Sequence, residues 1–261
     1  MSSLASSNSN NKASSHDSLP YKTVTYSGHG DQYIIIDGKK YLRHELMQAF
    51  TGTFNPGLAP YPKHQFGNAA ALGIASFALT TFVLGLYYSG AMGIAIPNVV
   101  VSMCIFYGGL IQTLAGVWEM VIGNTFGGTV FTSYGTFWIS FGVIFIEAFG
   151  IEAAYADHPE QFSNAVGLYL IGWAVFTFIM FTLVLKATAV FIILFSTLDI
   201  AFVLLAVGNM TGNAHCVKAG GIFAVIVGST AFWSMYAGIS LPSNSYFQVP
   251  VYHMPDFAAK N

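Results

Sequence analysis

Six apolar runs, each about the length needed to cross a bilayer core, constrain this chain more than any other feature. They lie near residues 68–88, 97–118, 126–149, 164–185, 187–208 and 218–240. The first sits within residues 66–86 (FGNAAALGIASFALTTFVLGL), opens with a polar turn and follows a long polar leader. Only 8% of the 261 residues are charged and 54% are apolar. An average soluble domain is about 25% charged, so this chain cannot cover a water-facing surface. The expected fold class is an all-α integral membrane protein with six transmembrane helices, and the lipid bilayer is its first partner. A net charge of −2 gives no reason to expect nucleic acid.

Turn and polar residues break the runs at 89–90, 122–124, 152–160, 186 and 209–213; the break at Lys186 is the tightest. Three parts follow: a cytoplasmic amino-terminal tail over 1–66, a six-helix transmembrane domain over 67–240, and a cytoplasmic carboxyl-terminal tail over 241–261. Residues 1–20 are rich in Ser and Asn and have almost nothing to bury, which predicts disorder. Residues 33–36 predict a local strand or contact, and 41–50 a short amphipathic helix against the membrane. Residues 55–62 (NPGLAPYP) predict a rigid linker, because each proline fixes its own φ. The first apolar run lies too far from Met1 for a cleavable leader, so the first spanning helix is expected to act as its own insertion signal. Lys39, Lys40, Arg43 and Lys63 precede the first run, placing the amino terminus, and after six spans the carboxyl terminus, in the cytoplasm. Lys186 then faces in and the loop with Glu152, Asp157 and Glu160 faces out; Lys218 is the exception. Asn209-Met-Thr211 matches a glycosylation sequon so near the membrane that it is expected to stay unused. Cys104 and Cys216 read as free thiols. Asn68-Ala-Ala-Ala-Leu-Gly and Asn164-Ala-Val-Gly-Leu-Tyr open the first and fourth runs. The echo is either an inverted 3+3 repeat or a chance match of small residues.

No enzymatic constellation is visible: no Ser/His/Asp set within the runs, no metal-ligand spacing and no phosphate-binding glycine loop. No cofactor is expected. The seven histidines fall in tails and loops and read as surface residues. Polar groups inside the runs say more, because hydrocarbon makes them costly. Asp199 is either a hydrogen-bonded structural acid in the bundle or a proton carrier on a wet path. Glu119, seven residues after Gln112 on the same helix face, either rims a cytoplasmic vestibule or sits at the water interface. Asn68 has the chemistry of an N-cap, and the helix start behind it favours a small anion. Gly73, Thr80 and Thr81 give the first helix a small, hydroxylated face: Gly73 reads as close packing, and Thr81 as packing or pathway. Gly127-Gly128-Thr129 suits a close backbone crossing or an unwound segment.

Several of these stretches resemble one family. NPGLAP at 55–60, Asn68…Leu72-Gly73, Phe77-Ala-Leu-Thr-Thr-Phe82, Ala91-Met-Gly93, Phe106-Tyr-Gly-Gly-Leu-Ile-Gln112 and Gly127-Gly-Thr…Ser133-Tyr-Gly-Thr-Phe-Trp138 are similar to the acetate uptake transporter family. Its fungal members are also called ammonia transport outward proteins. The resemblance covers about residues 52–240. It implies a six-helix protomer, a monocarboxylate pathway through each protomer, proton-linked acetate uptake, and a hexamer in bacterial relatives. It also implies an apolar constriction that falls on Phe77, Tyr134 and Leu198, with Ala231 lining the same pathway. Counted from Asn68, Thr125 and Thr188, the three constriction residues lie nine or ten positions in. At about 1.5 Å per residue this is about 14 Å, near mid-membrane for all three. One departure stands out. The family signature Asn-Pro-Ala-Pro-Leu-Gly-Leu reads Asn68-Ala69-Ala70-Ala71-Leu72-Gly73-Ile74 here. Two N–H groups return and two rigid φ angles go, which predicts an earlier helix start and a remodelled entrance.

Three functions follow as expectations. The first is a plasma-membrane transporter or channel for acetate and other short monocarboxylates, coupled to protons. The second is an ammonium or ammonia exporter, with the aromatic gate desolvating ammonium by cation–π contact. The third is a non-transporting sensor on the same fold.

Overall fold

The computed structural model describes residues 24–29, 32–49 and 66–255. The chain divides into two compact units, Met1–Gln65 and Phe66–Asn261. In the first, strands β1 (Val24–Ser27), β2 (Tyr33–Ile36) and β3 (Lys39–Leu42) form an antiparallel sheet in that order. The strand expected at 33–36 is thus the middle of a sheet. Lys40 places its ammonium 3.8 Å from the Tyr33 ring centre across the β2–β3 pair. Helix α1 is Arg43–Ala49; Tyr41 and Leu42, expected in that helix, complete β3 instead. The linker expected at 55–62 lies outside the described residues.

Among the described residues the second unit is helix and turn, with one isolated bridge between Thr188 and His253. Its long rods are α2 (Ala69–Tyr88), a split rod over Val99–Val121, α5 (Thr125–Ile144), α6 (Pro159–Val184), α7 (Ala189–Thr211) and α8 (Ala214–Ile239). The split rod is α3 (Val99–Ile105), a π-helical segment (Phe106–Ile111) and α4 (Gln112–Val121). All but α5 are long and apolar enough to cross a membrane. Helix α5 has 20 residues but spends several on Thr, Ser and Gly, and it buries Phe131, Tyr134, Phe137, Trp138 and Phe141. It is apolar where it meets its neighbours, so its average hydropathy understates how deeply it sits.

The boundaries follow local chemistry. Pro159 opens α6 at the first helical position, where its missing N–H has no partner to lose, so the helix begins five residues before the expected 164. Gly212, at φ 64°, takes the left-handed conformation that stops α7. Asn213 then caps α8 by accepting from the His215 and Cys216 N–H groups, so α8 starts at Ala214 and takes in His215, expected in a loop. The third rod ends at Ile144 rather than 149. Asn209–Met210–Thr211 lies inside α7, with Asn209 Nδ2 donating to the Leu205 carbonyl at 2.8 Å. A sequon wound into a helix and tied to it is no glycan acceptor. Cys104 and Cys216 are free thiols.

Small residues set the distance between rods, as they do where lipid removes the hydrophobic drive for helix pairing. A Cβ on Gly85 of α2 would lie 2.7 Å from the Val225 nitrogen of α8, and one on Gly221 of α8 would lie 2.5 Å from the Ser89 nitrogen. Gly135 of α5 meets the Thr113 nitrogen of α4 in the same way, at 2.6 Å. Gly127 and Gly128 belong to this group: α5 runs unbroken through them, and Gly128 packs on Met120. The unwinding considered there occurs instead at Phe106–Ile111. In that segment Gly108 passes Thr80 and Gly109 passes Ile139 too closely for a side chain.

Past α8 the chain turns back on the bundle. Phe247 stacks on Tyr236 (5.4 Å between centroids), the Trp233 indole donates to the Pro250 carbonyl at 2.9 Å, and the Ala189 N–H donates to the Tyr252 carbonyl at 2.9 Å. Residues up to Met254 are therefore strapped to the start of α7, where Met254 N–H donates to Ala187.

The Gly85/Gly221 crossing yields a prediction. Gly85→Leu forces backbones apart that nothing can shift cheaply, and should cost about 1–3 kcal/mol or prevent folding. Gly172→Leu, with open space around it, should be near neutral. Thermal unfolding of the two variants in detergent, against the parent, reads the difference.

Candidate functional site

Three helices start at one end of the second unit with a side chain closing the first turn. Asn68 accepts from the Ala71 N–H at 3.2 Å, Asn124 from the Gly127 N–H at 3.0 Å, and Thr188 from the Phe191 N–H at 3.3 Å. Capping of this kind satisfies donors that the helix cannot. It also sets a common zero of depth for α2, α5 and α7. Phe77, Tyr134 and Leu198 lie nine, ten and ten residues beyond their caps, and all three are buried. The Phe77 and Tyr134 rings are 5.8 Å apart.

Two cavities meet at this level. The cap-end cavity, about 180 Å³, is lined by Ala70 and Ile74 of α2, Asn124 to Tyr134 of α5, and Phe191 to Leu198 of α7, with Gln112. The far-end cavity, about 240 Å³, runs from Thr81 to Tyr88 on α2, past Trp138 and Phe141 of α5, to Asn209 of α7. Phe77 and Leu198 line both. They form the wall between two chambers, and Tyr134 backs it on the cap side. Among the described residues, neither lining includes a charged side chain.

Tyr134 is held by a partner that sequence reasoning missed. Its hydroxyl lies 2.8 Å from the Thr177 hydroxyl of α6, and both groups are buried. Trp173, Phe176 and Phe195 surround the ring at 5.5–6.4 Å. The hydroxyl is thus committed sideways, and the ring is what the cap-end cavity meets. Only the position of Thr177 on an apolar run hinted at this, and many runs carry such threonines.

The structure places the other expected residues as follows. Thr81 lines the far-end cavity, and its Oγ1 is buried without a hydrogen-bond partner. Asn68, Glu119, Asp199 and Ala231 line neither cavity. The Asn68 oxygen serves the cap and its nitrogen donates to the Gly238 carbonyl at 3.0 Å. The helix begins directly behind it at Ala69, not upstream. Glu119 neither rims a vestibule nor meets water: it is 2% exposed, and its Oε2 accepts from Asn124 Nδ2. It braces the cap of α5, and a Cβ on Gly127 would intrude on both groups. Asp199 is half-buried beside Leu198, with Oδ1 buried and unpartnered. Ala231 is fully buried in α8. Gly73 packs on Phe131, whose ring would lie 2.8 Å from a Cβ there. Gln112, 1% exposed, lines the cap-end cavity with Oε1 unpartnered; it follows the π-helical segment, a feature frequent at functional sites.

Residues 50–256 match the model of the GPR1/FUN34/yaaH family. The chain belongs to that family. It is 47% identical over 246 residues to ammonia transport outward protein 2 of Saccharomyces cerevisiae, covering 94% of this chain and 87% of the relative. It is 42% identical to acetate permease A of Emericella nidulans, covering 82% and 75%. A solved structure of the bacterial acetate channel SatP superposes with a TM-score of 0.60 at 36% identity, over 67% of this chain and 93% of that one. The second unit is a helical, multi-pass membrane unit, and the two chambers lie within it.

Thr177→Val should leave the Tyr134 hydroxyl buried and unpaired, at a cost of about 1–3 kcal/mol. Adding Tyr134→Phe removes the orphan and should recover most of that loss. Denaturation of the single and double variants tests the pair; additive losses would dissolve it.

Proposed function

We propose that the chain is a plasma-membrane conduit for acetate and other short monocarboxylates, coupled to protons, with six spans and both termini in the cytoplasm. The observation that carries this is the wall. Phe77 and Leu198 separate two chambers whose linings lack charge. An apolar constriction resists hydrated ions by dewetting and passes small neutral solutes. Acetic acid titrates near the range of Glu, about 4.3, so acid surroundings supply a neutral form. A transporter of this kind fits the family's named members.

Orientation rests on charge. The capped ends share their side of the unit with Lys186, while Glu147, Glu152 and Asp157 lie in the turns joining α5 to α6 and Glu160 in the first turn of α6. The bias puts the cap-end chamber in the cytoplasm and the far-end chamber outside. Helix α5, buried among the aromatic rings of its neighbours, completes the six spans. The working form is a homo-oligomer, hexameric as the resemblance implies.

One observation favours a second reading. The same wall passes neutral ammonia, and a relative of 47% identity carries the name of an outward ammonia transporter. Labelled acetate uptake and labelled methylammonium flux, measured across external pH in cells lacking endogenous acid carriers, separate the two. Acetate uptake above empty cells and rising as pH falls supports the first. Uptake equal to empty cells at every pH overturns it, saturable methylammonium flux turns to the second, and neither flux leaves a sensor.

Two variants probe the parts. Leu198→Ala removes half the wall and should admit larger acids, read as a broadened range of labelled substrates; an unchanged profile counts against a gating role. Asp199→Asn removes the half-buried carboxyl beside the wall and should flatten the pH dependence of acetate uptake. A wild-type pH profile in that variant would take Asp199 out of proton handling.

A further inference from the structure

Charge is missing from the carboxyl-terminal part of the chain for longer than one span needs. No Asp, Glu, Lys or Arg lies between Lys218 and Asp256, although α8 ends at Ile239. The segment that follows α8, from Leu241 to Met254, carries Tyr246, Phe247, Val249, Val251 and Tyr252 instead. It does not hide its rings. Leu241, Phe247 and Tyr252 are exposed, and Tyr246 is fully so. A contiguous apolar patch on the outside of a protein marks a surface that something else covers.

The course of the segment says what covers it. The Trp233 indole donates to the Pro250 carbonyl, and Phe247 stacks on Tyr236. Trp233 stands six residues before the end of α8 and Tyr236 three, which is about 9 Å and about 5 Å back along the rod. The segment therefore does not leave the bundle at the plane of the caps; it folds back beside the last two turns of α8. Ile222, Ile226 and Trp233 form an exposed stripe on that rod, four and seven residues apart, and α8 is long and apolar enough to span. The exposed rings thus continue the outer surface of a spanning helix. The backbone is fitted for a place with little water. The carbonyls of Phe247, Pro250 and Tyr252 accept from Tyr236, Trp233 and the Ala189 N–H. Asn244 serves the Leu241 N–H and the Ile239 carbonyl, and Pro242 and Pro250 have no N–H to satisfy.

We infer that residues 241–254 are an interfacial clamp, seated in the headgroup layer of the bilayer at the cap end, with Leu241, Tyr246, Phe247 and Tyr252 against lipid and the first turn of α7 held to α8. Tyrosine rings, apolar in body and polar at the tip, suit that layer. Amphipathic segments sit about 5–10 Å into it, the depth that Trp233 and Tyr236 set. A charged side chain would resist that depth, and the segment has no Asp, Glu, Lys or Arg. The clamp acts on α7. Ala189 opens that helix, so its N–H has no partner within it. The Tyr252 carbonyl takes this N–H, and the Met254 N–H donates to the Ala187 carbonyl. Thr188 and the clamp together fix where α7 begins, and with it the depth of Leu198. Lipid that holds the rings of the clamp thereby holds one side of the wall. The inference is independent of which solute crosses.

The test uses the full chain in lipid nanodiscs. Cys216→Ala removes the partly exposed thiol, and Cys104 is buried. In that background Tyr246→Cys carries a bimane label, and Asp157→Cys, in an exposed turn between α5 and α6, carries it as a control. Tyr246 is fully exposed, so its replacement costs the bundle no packing. Lipids with a nitroxide high on the acyl chain should quench the label at 246, and aqueous iodide should leave it bright. The label at 157 should respond the other way round. Quenching at 246 by iodide alone overturns the clamp and makes the segment a tail in water. Quenching by neither overturns lipid as the partner and assigns the patch to a second copy of the chain. Hydrogen exchange reads the hold on α7. Trp233→Phe removes the bond to Pro250 and should speed exchange over residues 189–195 roughly tenfold, the size of a lost helix cap, while residues 125–131 at the start of α5 keep the parent rate. Equal rates in variant and parent overturn the hold on α7, and so does an equal acceleration at both helix starts.

Discussion

Three side-chain caps at one end of the bundle set the depth of nearly everything else. Asn68, Asn124 and Thr188 stop α2, α5 and α7 from fraying or starting late, so residue number on those helices becomes distance from a common plane. A slip of one residue on any of them would turn its constriction side chain by about 100° and move it by about 1.5 Å. Phe77 and Leu198 would then no longer share two chambers. Glu119 acquires its meaning here: a buried carboxylate that holds Asn124 in its capping rotamer protects the register of α5 from behind.

Polar groups in a membrane bundle must be accounted for one by one, because the surroundings offer no water to absorb an unpaired donor. Most hydroxyls on these rods turn back to a carbonyl three or four residues earlier. They are polar in name and apolar in effect. The exceptions then become informative. Thr177 reaches across to Tyr134 and holds a ring. Thr81 Oγ1, Trp138 Nε1 and Gln112 Oε1 have no partner, and all three residues stand at cavity walls. The two donors lie on the far side of the wall and the unpaired amide oxygen on the cap side, so the two chambers differ in the chemistry they offer a solute.

How much is legible from sequence depends on the range of the physics involved. Run length, the tight turn at Lys186 and the N-cap character of Asn68 are local, and the structure has them all. The shared depth of Phe77, Tyr134 and Leu198 needs only counting, because a helix converts number to height. The helices that open at Pro159 and Ala214 start earlier than their apolar runs, because proline and asparagine can open a helix as readily as they break one. The Tyr134–Thr177 pair and the Glu119–Asn124 brace are not legible as contacts. The pair joins residues far apart on an azimuth that sequence does not give, and the brace reads in sequence as a charge at a vestibule rim or a water interface. The π-helical segment is hidden for a similar reason: Gly108 and Gly109 allow it, but the neighbours that require it, Thr80 and Ile139, belong to other helices.

The departure at the first helix changes the entrance in a definite way. In the family signature the third residue after Asn68 is proline, which has no N–H to offer. Here it is Ala71, and its N–H is the one that the Asn68 oxygen accepts. The Asn68 nitrogen is taken as well, by the Gly238 carbonyl at the end of α8. An asparagine whose oxygen would face a proline has no donor at that position; this asparagine has both ends committed to structure. The residue with the strongest sequence claim to an anion site is therefore a clamp between α2 and α8.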